Sequence, residues 1–100
     1  MHQLSAHIEA INKLCSIYGV NHLYAFGSVL TDNYNPQSDI DLIVDFLPIN
    51  SLDYADNYYD FKFSLERILN RKVDLLEENA IKNPFFLEVV NDKKQILYGN

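Results

Sequence analysis

The eight residues from Asp39 to Phe46 constrain this chain more than any other stretch. Ile40, Leu42, Val44 and Phe46 alternate with Asp39, Asp41, Ile43 and Asp45, the period-two pattern of a β-strand whose two faces meet different surroundings. One face needs apolar cover. The other places the Asp39 and Asp41 carboxylates side by side, because residues two apart on a strand point the same way. Asp45 shares that face but stands about 13 Å beyond Asp41, too far to share an ion, and is expected to face solvent.

The rest of the chain supplies the cover. Leu4, Ile8, Ile11, Leu14, Cys15 and Tyr18 recur at helical spacing and predict an amphipathic helix capped at Gly19. Cys15 lies on that apolar stripe and is read as a small core residue rather than a nucleophile. His22 to Phe26 is a short apolar run, read as a strand ending in Gly27-Ser28, and the polar segment Thr31 to Ser38 reads as a loop. Asn50 or Ser51 can cap a long helix with Tyr54, Tyr58, Phe61, Leu65 and Ile68 as its core stripe, and Asp53 and Asp56 favour its first turn. Lys72 to Leu76 predicts a third strand, Pro84 to Val90 a short helix and Gln95 to Tyr98 a last strand. The sum is an α+β fold, a small sheet flanked by helices.

Composition narrows what such a fold can do. One hundred residues, 48% of them hydrophobic, suit one domain over residues 1–100 that buries about two-thirds of its extended surface. Fourteen acidic against eight basic residues give a net charge of −6, which argues against general nucleic-acid binding. A single cysteine excludes an internal disulfide, and with three scattered histidines it makes no zinc cluster. No basic-then-apolar leader opens the sequence, and no apolar run approaches the roughly 20 residues of a membrane span. A soluble cytoplasmic protein without membrane association is expected.

Three places are chemically suggestive: Gly27-Ser28 after a strand, Asp39-Ile40-Asp41 at the start of the next, and Asp74 in the third. Adjacent carboxylates repel unless a cation intervenes. Magnesium suits them, because it takes oxygen ligands and is shared between one or two carboxylates and substrate phosphates. A glycine lets backbone approach a phosphate closely, and turn N–H groups with a serine hydroxyl can hold its oxygens. Each feature also has a plain structural reading: Gly27 as a simple turn, the aspartates as a solvated strand face. Haloalkanoate-dehalogenase-type phosphatases also use Asp-x-Asp, but after a hydrophobic strand, whereas here a polar loop precedes it and Leu42-Ile43-Val44 follow.

Gly27-Ser28, ten intervening residues and Asp39-Ile40-Asp41 resemble the signature of the DNA polymerase β-type nucleotidyltransferase superfamily. With Lys72-Val73-Asp74-Leu75-Leu76, Pro84 and Ile96-Leu97-Tyr98-Gly99, nearly the whole chain resembles the minimal nucleotidyltransferase (MNT) antitoxins, partners of HEPN toxins. The resemblance implies a polymerase β-like core with a small mixed sheet, in which Asp39, Asp41 and Asp74 hold two magnesium ions and Gly27 and Ser28 grip the outer phosphates of ATP. It further implies transfer of AMP to a tyrosine hydroxyl of a HEPN-type toxin, with release of pyrophosphate, in a hetero-oligomer.

The chain departs from the family wording just after Gly27-Ser28, where Thr31 and Asp32 replace the usual arginine and glycine. Loss of a positive charge near a triphosphate removes one source of transition-state stabilisation. A second reading follows, a binding module that neutralises its partner by covering it; the three retained acids favour the enzyme. Transfer to a small molecule is a third, less suited to a chain with no room for an added substrate domain. Tyr54, Tyr58, Tyr59, Phe61 and Phe63 crowd one helix, and Tyr59 and Phe63 lie roughly 100° or more off the Tyr58–Phe61 line. Either that helix is buried on two sides or those rings form a partner surface.

Overall fold

The computed structural model describes residues 6–26, 39–48 and 53–99. In chain order these form α1 (Ile8–Ile17), β1 (Val20–Phe26), β2 (Ile40–Phe46), α2 (Tyr54–Leu69), β3 (Val73–Glu77), a 3-10 turn (Glu78–Ala80), α3 (Pro84–Lys93) and β4 (Gln95–Tyr98). The sheet order is β3-β2-β1-β4. β1 runs antiparallel to β2 and β4, while β2 and β3 are parallel and joined through α2, so the sheet is mixed as expected.

Local chemistry sets the boundaries. The Tyr18 N–H closes α1 on the Leu14 carbonyl at 2.9 Å, and Gly19 takes φ +69°, a left-handed turn that lets β1 begin at once. β1 therefore starts at Val20, two residues before the apolar run at His22. Asn70 takes the left-handed conformation at the end of α2 (φ 55°) and returns the chain to the sheet. α3 begins on Asn83, whose side chain accepts from the N–H groups of Phe85 (2.9 Å) and Phe86 (3.2 Å), with Pro84 in the first turn. The residue that flanks α2 at its start is Asp53, without a side-chain cap; Asn50 and Ser51 lie outside the described residues, as does Leu4.

The core forms on one face of the sheet. Ile11 and Cys15 of α1 and Phe61, Leu65 and Leu69 of α2 pack with Leu23, Ala25, Ile40, Leu42, Val44, Val73 and Leu75, all buried. The α2 stripe ends on Leu69 rather than Ile68, one i+4 step beyond Leu65. Tyr18 and Phe46 meet Phe61 at ring separations of 5.8 and 5.9 Å, joining α1, α2 and β2. Burial pushes the Cys15 thiol up to about 12, as suits a core residue.

The opposite face has its own smaller cover. Ile43 and Val90 are fully buried yet lie outside the main cluster. Phe86 of α3 meets Phe26 edge-on at 6.1 Å, and Lys94 lies 4.0 Å over the Tyr24 ring while pairing with Glu78 at 2.9 Å. Asp45 does not simply face solvent, contrary to expectation. It accepts from Asn21 Nδ2 at 2.9 Å and lies 3.2 Å from His22 Nδ1, at the point where β1 shifts register against β2.

Candidate active site

Strand register assembles the acids. Asp41 is the second residue of β2 and Asp74 the second of β3, and the parallel pairing sets them directly opposite each other. Neighbouring strands lie about 4.8 Å apart, so two same-face side chains at paired positions are in reach of one another. Asp39 immediately precedes β2 and adds its charge to the same corner. Thus a residue 33 positions after Asp41 reaches it only because α2 brings β3 back parallel to β2.

Electrostatics mark Asp41 as the centre. Burial, then the charges of Asp74 and Asp39 and a side-chain hydrogen bond with Asp74, hold its carboxyl above the usual carboxylate range. Two carboxylates can share a hydrogen bond only if a proton sits between them; a divalent cation offers the same relief with more charge. All three donors are hard oxygens, the type magnesium takes. As placed, the acids lean on one another: among the described residues no three His, Cys, Asp or Glu side chains already form a ready metal cage.

On its other side Asp41 pairs with Phe26, the residue just before Gly27-Ser28. Gly27, Ser28, Thr31 and Asp32 themselves lie outside the described residues. Two side chains that periodicity did not single out for the site stand around Asp74. The Tyr58 hydroxyl donates to the Leu75 carbonyl, and Glu66 Oε2 accepts from the Val73 N–H at 2.9 Å. Side-chain-to-backbone bonds between distant segments leave no repeat in a sequence, so no signal there could have pointed to them. Of the crowded α2 aromatics, Tyr59 and Phe63 are each 51% exposed and stack on one another at 6.0 Å. They belong to the surface, not to a second core.

A family model described as a nucleotidyltransferase domain matches residues 7–97. The chain belongs to the nucleotidyltransferase domain family. Protein adenylyltransferase MntA of Thermococcus cleftensis is 30% identical over 80 residues, which is 80% of this chain and 75% of that one. A solved structure provisionally described as a minimal nucleotidyltransferase superposes with a TM-score of 0.76 at 30% identity, covering 92% of this chain and 90% of the other. The fold is also similar, with a TM-score of 0.66 at 20% identity over 98% of this chain and 74% of the other, to a structure of a tri-AMPylated Shewanella oneidensis HEPN toxin in complex with MNT antitoxin. The expected minimal nucleotidyltransferase fold is therefore present, and the enzymatic reading agrees with the family. Among the described residues no helix is long and apolar enough to cross a membrane.

Proposed function

We propose that this nucleotidyltransferase is an antitoxin that transfers AMP from ATP to a tyrosine hydroxyl of a HEPN-type partner. The observation that carries the reading is the register pairing of Asp41 with Asp74, beside Asp39, in a chain of this family. The names of the relatives, a protein adenylyltransferase and an MNT antitoxin beside an AMPylated HEPN toxin, support AMP as the group transferred and a HEPN-type protein as the acceptor.

The chemistry is an in-line displacement. The acceptor oxygen forms a bond to the α-phosphorus as the bond from that phosphorus to the β-phosphate oxygen breaks, so AMP is transferred and pyrophosphate leaves. Asp39, Asp41 and Asp74 would hold magnesium, which when bound neutralises charge on the attacking and leaving oxygens. Asp74, on an exposed edge, takes the hydroxyl proton. Asp41 is held by strands on both sides and fixes the geometry of the pair. Gly27 and Ser28 bind the outer phosphates and orient the leaving group. Acceptor specificity comes from the partner, and Tyr59 and Phe63 offer it an exposed aromatic contact.

The test is direct. Incubation of the protein with its HEPN-type partner, ATP and magnesium should raise the partner's mass by whole AMP units, on tyrosine by fragmentation. An Asp39→Ala/Asp41→Ala variant should not. Equal masses with the two proteins would overturn the reading and leave neutralisation by binding alone.

A further inference from the structure

The two acids at the heart of the site are not held equally. β2 has a strand on each side, whereas among the described residues β3 lies at the edge of the sheet with β2 as its strand neighbour. An edge strand has a row of backbone groups without ladder partners and is free to twist about its long axis. For Asp74 such a twist matters, because its side chain projects from the face opposite that of Val73 and Leu75, which are buried against the core. Rotation of β3 by a few tens of degrees would swing the Asp74 carboxylate away from Asp41.

Two side chains of α2 oppose that motion. Glu66 accepts from the N–H of Val73, the residue before Asp74, and Tyr58 donates to the carbonyl of Leu75, the residue after it. The two bonds bracket Asp74 and come from one rigid helix. α2 is in turn tied down elsewhere: Asn57 Nδ2 donates to the Tyr18 carbonyl at 2.9 Å, and Phe61, Leu65 and Leu69 are buried in the core. The Tyr58 phenol is held above its ordinary value by burial, then by Tyr59 and Asp74, so it remains a donor. Both bonded groups also cap backbone positions at which another strand could otherwise add.

We propose that Tyr58 and Glu66 are positioning residues that clamp β3 so that Asp74 stays opposite Asp41. The clamp acts through Asp74 and touches neither nucleotide nor acceptor. It rests on the reading of this corner as the nucleotidyl-transfer site. Its purpose is geometric: displacement of a catalytic group by about 1 Å can cost on the order of a hundredfold in rate.

The experiment measures magnesium binding to the protein alone by calorimetry, and transfer to the partner, for wild type, Tyr58→Phe, Glu66→Leu and Glu66→Gln, all well below their melting temperatures. Tyr58→Phe and Glu66→Leu should each weaken magnesium binding by about tenfold and slow transfer by roughly 10- to 100-fold. Glu66→Gln keeps an acceptor oxygen for the Val73 N–H and should return most of both. In an Asp74→Asn background, where Asp39 and Asp41 still offer magnesium ligands, Tyr58→Phe and Glu66→Leu should cause no further loss of magnesium binding, an interaction that a merely structural role would not produce. Variants that bind magnesium and transfer as wild type does, or that lose equally with and without Asp74, overturn the clamp. Wild-type protein that binds magnesium but transfers nothing overturns the transfer reading instead, while the binding comparison still decides the clamp. A wild type that neither binds magnesium nor transfers overturns both, and one that transfers without binding magnesium alone leaves the transfer rates of the variants to decide the clamp.

Discussion

The two faces of the sheet are built from the same strands and do opposite work. On one, Leu23, Leu42, Val44, Phe61 and Leu65 are sealed from solvent, and no charged or polar side chain is fully buried among the described residues. On the other, Asp41 sits half-buried between Asp74 and Phe26, and its neighbours raise the cost of its charge. The first face lowers the free energy of the fold; the acid corner of the second raises it by holding three acids together, although Ile43 and Val90 are sealed nearby. That division teaches where stability and activity should separate on mutation, since strained sites commonly trade one for the other.

The largest expected effect lies on the sealed face. Phe61→Ala removes a buried ring that touches Tyr18 and Phe46, and should cost about 3–5 kcal/mol, a large part of a small domain's stability. Urea denaturation checks it; a loss well under 1 kcal/mol would mean that the face is loosely packed. Asp41→Asn should behave in the opposite way. A carboxyl whose folded pKa is raised contributes stability below its unfolded pKa and loses it as pH rises through the folded value. Metal-free Asp41→Asn should therefore melt a few degrees above wild type at pH 7, with the gap closing near pH 3, although transfer is abolished. Magnesium should reverse the order by stabilising wild type alone. A variant that melts below metal-free wild type at pH 7 would remove the contrast between the faces.

The smallest effect is expected at Cys15. With its thiol near 12 and its side chain sealed, alkylating reagents at pH 8 should leave the native protein unmodified over hours and react only after denaturant is added. Its pH dependence runs the same way as that of Asp41, shifted to alkali: stability is intact below pH 9.0, the ordinary thiol value, and falls as pH rises toward about 12. Cys15→Ala should flatten that alkaline slope in a series of melting curves. Rapid alkylation of folded protein would show that α1 opens.

Much of this was legible in the sequence because it rests on local patterns. Alternation over Asp39 to Phe46 identified β2 and its apolar face, and helical spacing found α1 and α2, since burial on one side imposes those periods. The paired acids followed from the same alternation, and Asp74 from its place in a third strand. What stayed hidden depends on how elements meet. Ile43 alternates with the acids yet is fully buried, and nothing in a period of two says that part of the acid face has its own cover. Distance from Asp41 alone points Asp45 to solvent, and its partners Asn21 and His22 lie across a register shift that no local pattern announces. Ile68 and Leu69 lie about 100° apart but flank the centre of the Tyr54–Leu65 stripe by similar angles on either side, so periodicity alone does not choose between them. Helical spacing places Tyr58 on the core stripe, and only the position of its hydroxyl shows that it also holds a strand.

The sheet order also sets a timetable for folding. β1 and β2 are near in sequence and can pair early, and β3 joins through α2. β4 reaches β1 from the far end of the described chain, matching Leu23 with Tyr98. Contacts of such long separation form slowly, because loop closure must precede any gain from pairing. During synthesis the outer edge of β1 therefore waits, uncovered, until Gln95–Tyr98 has been made. Through that interval Leu23, Tyr24 and Ala25 present an apolar, unpaired template to any neighbouring nascent chain, and aggregation during expression should be governed by how quickly the last strand arrives.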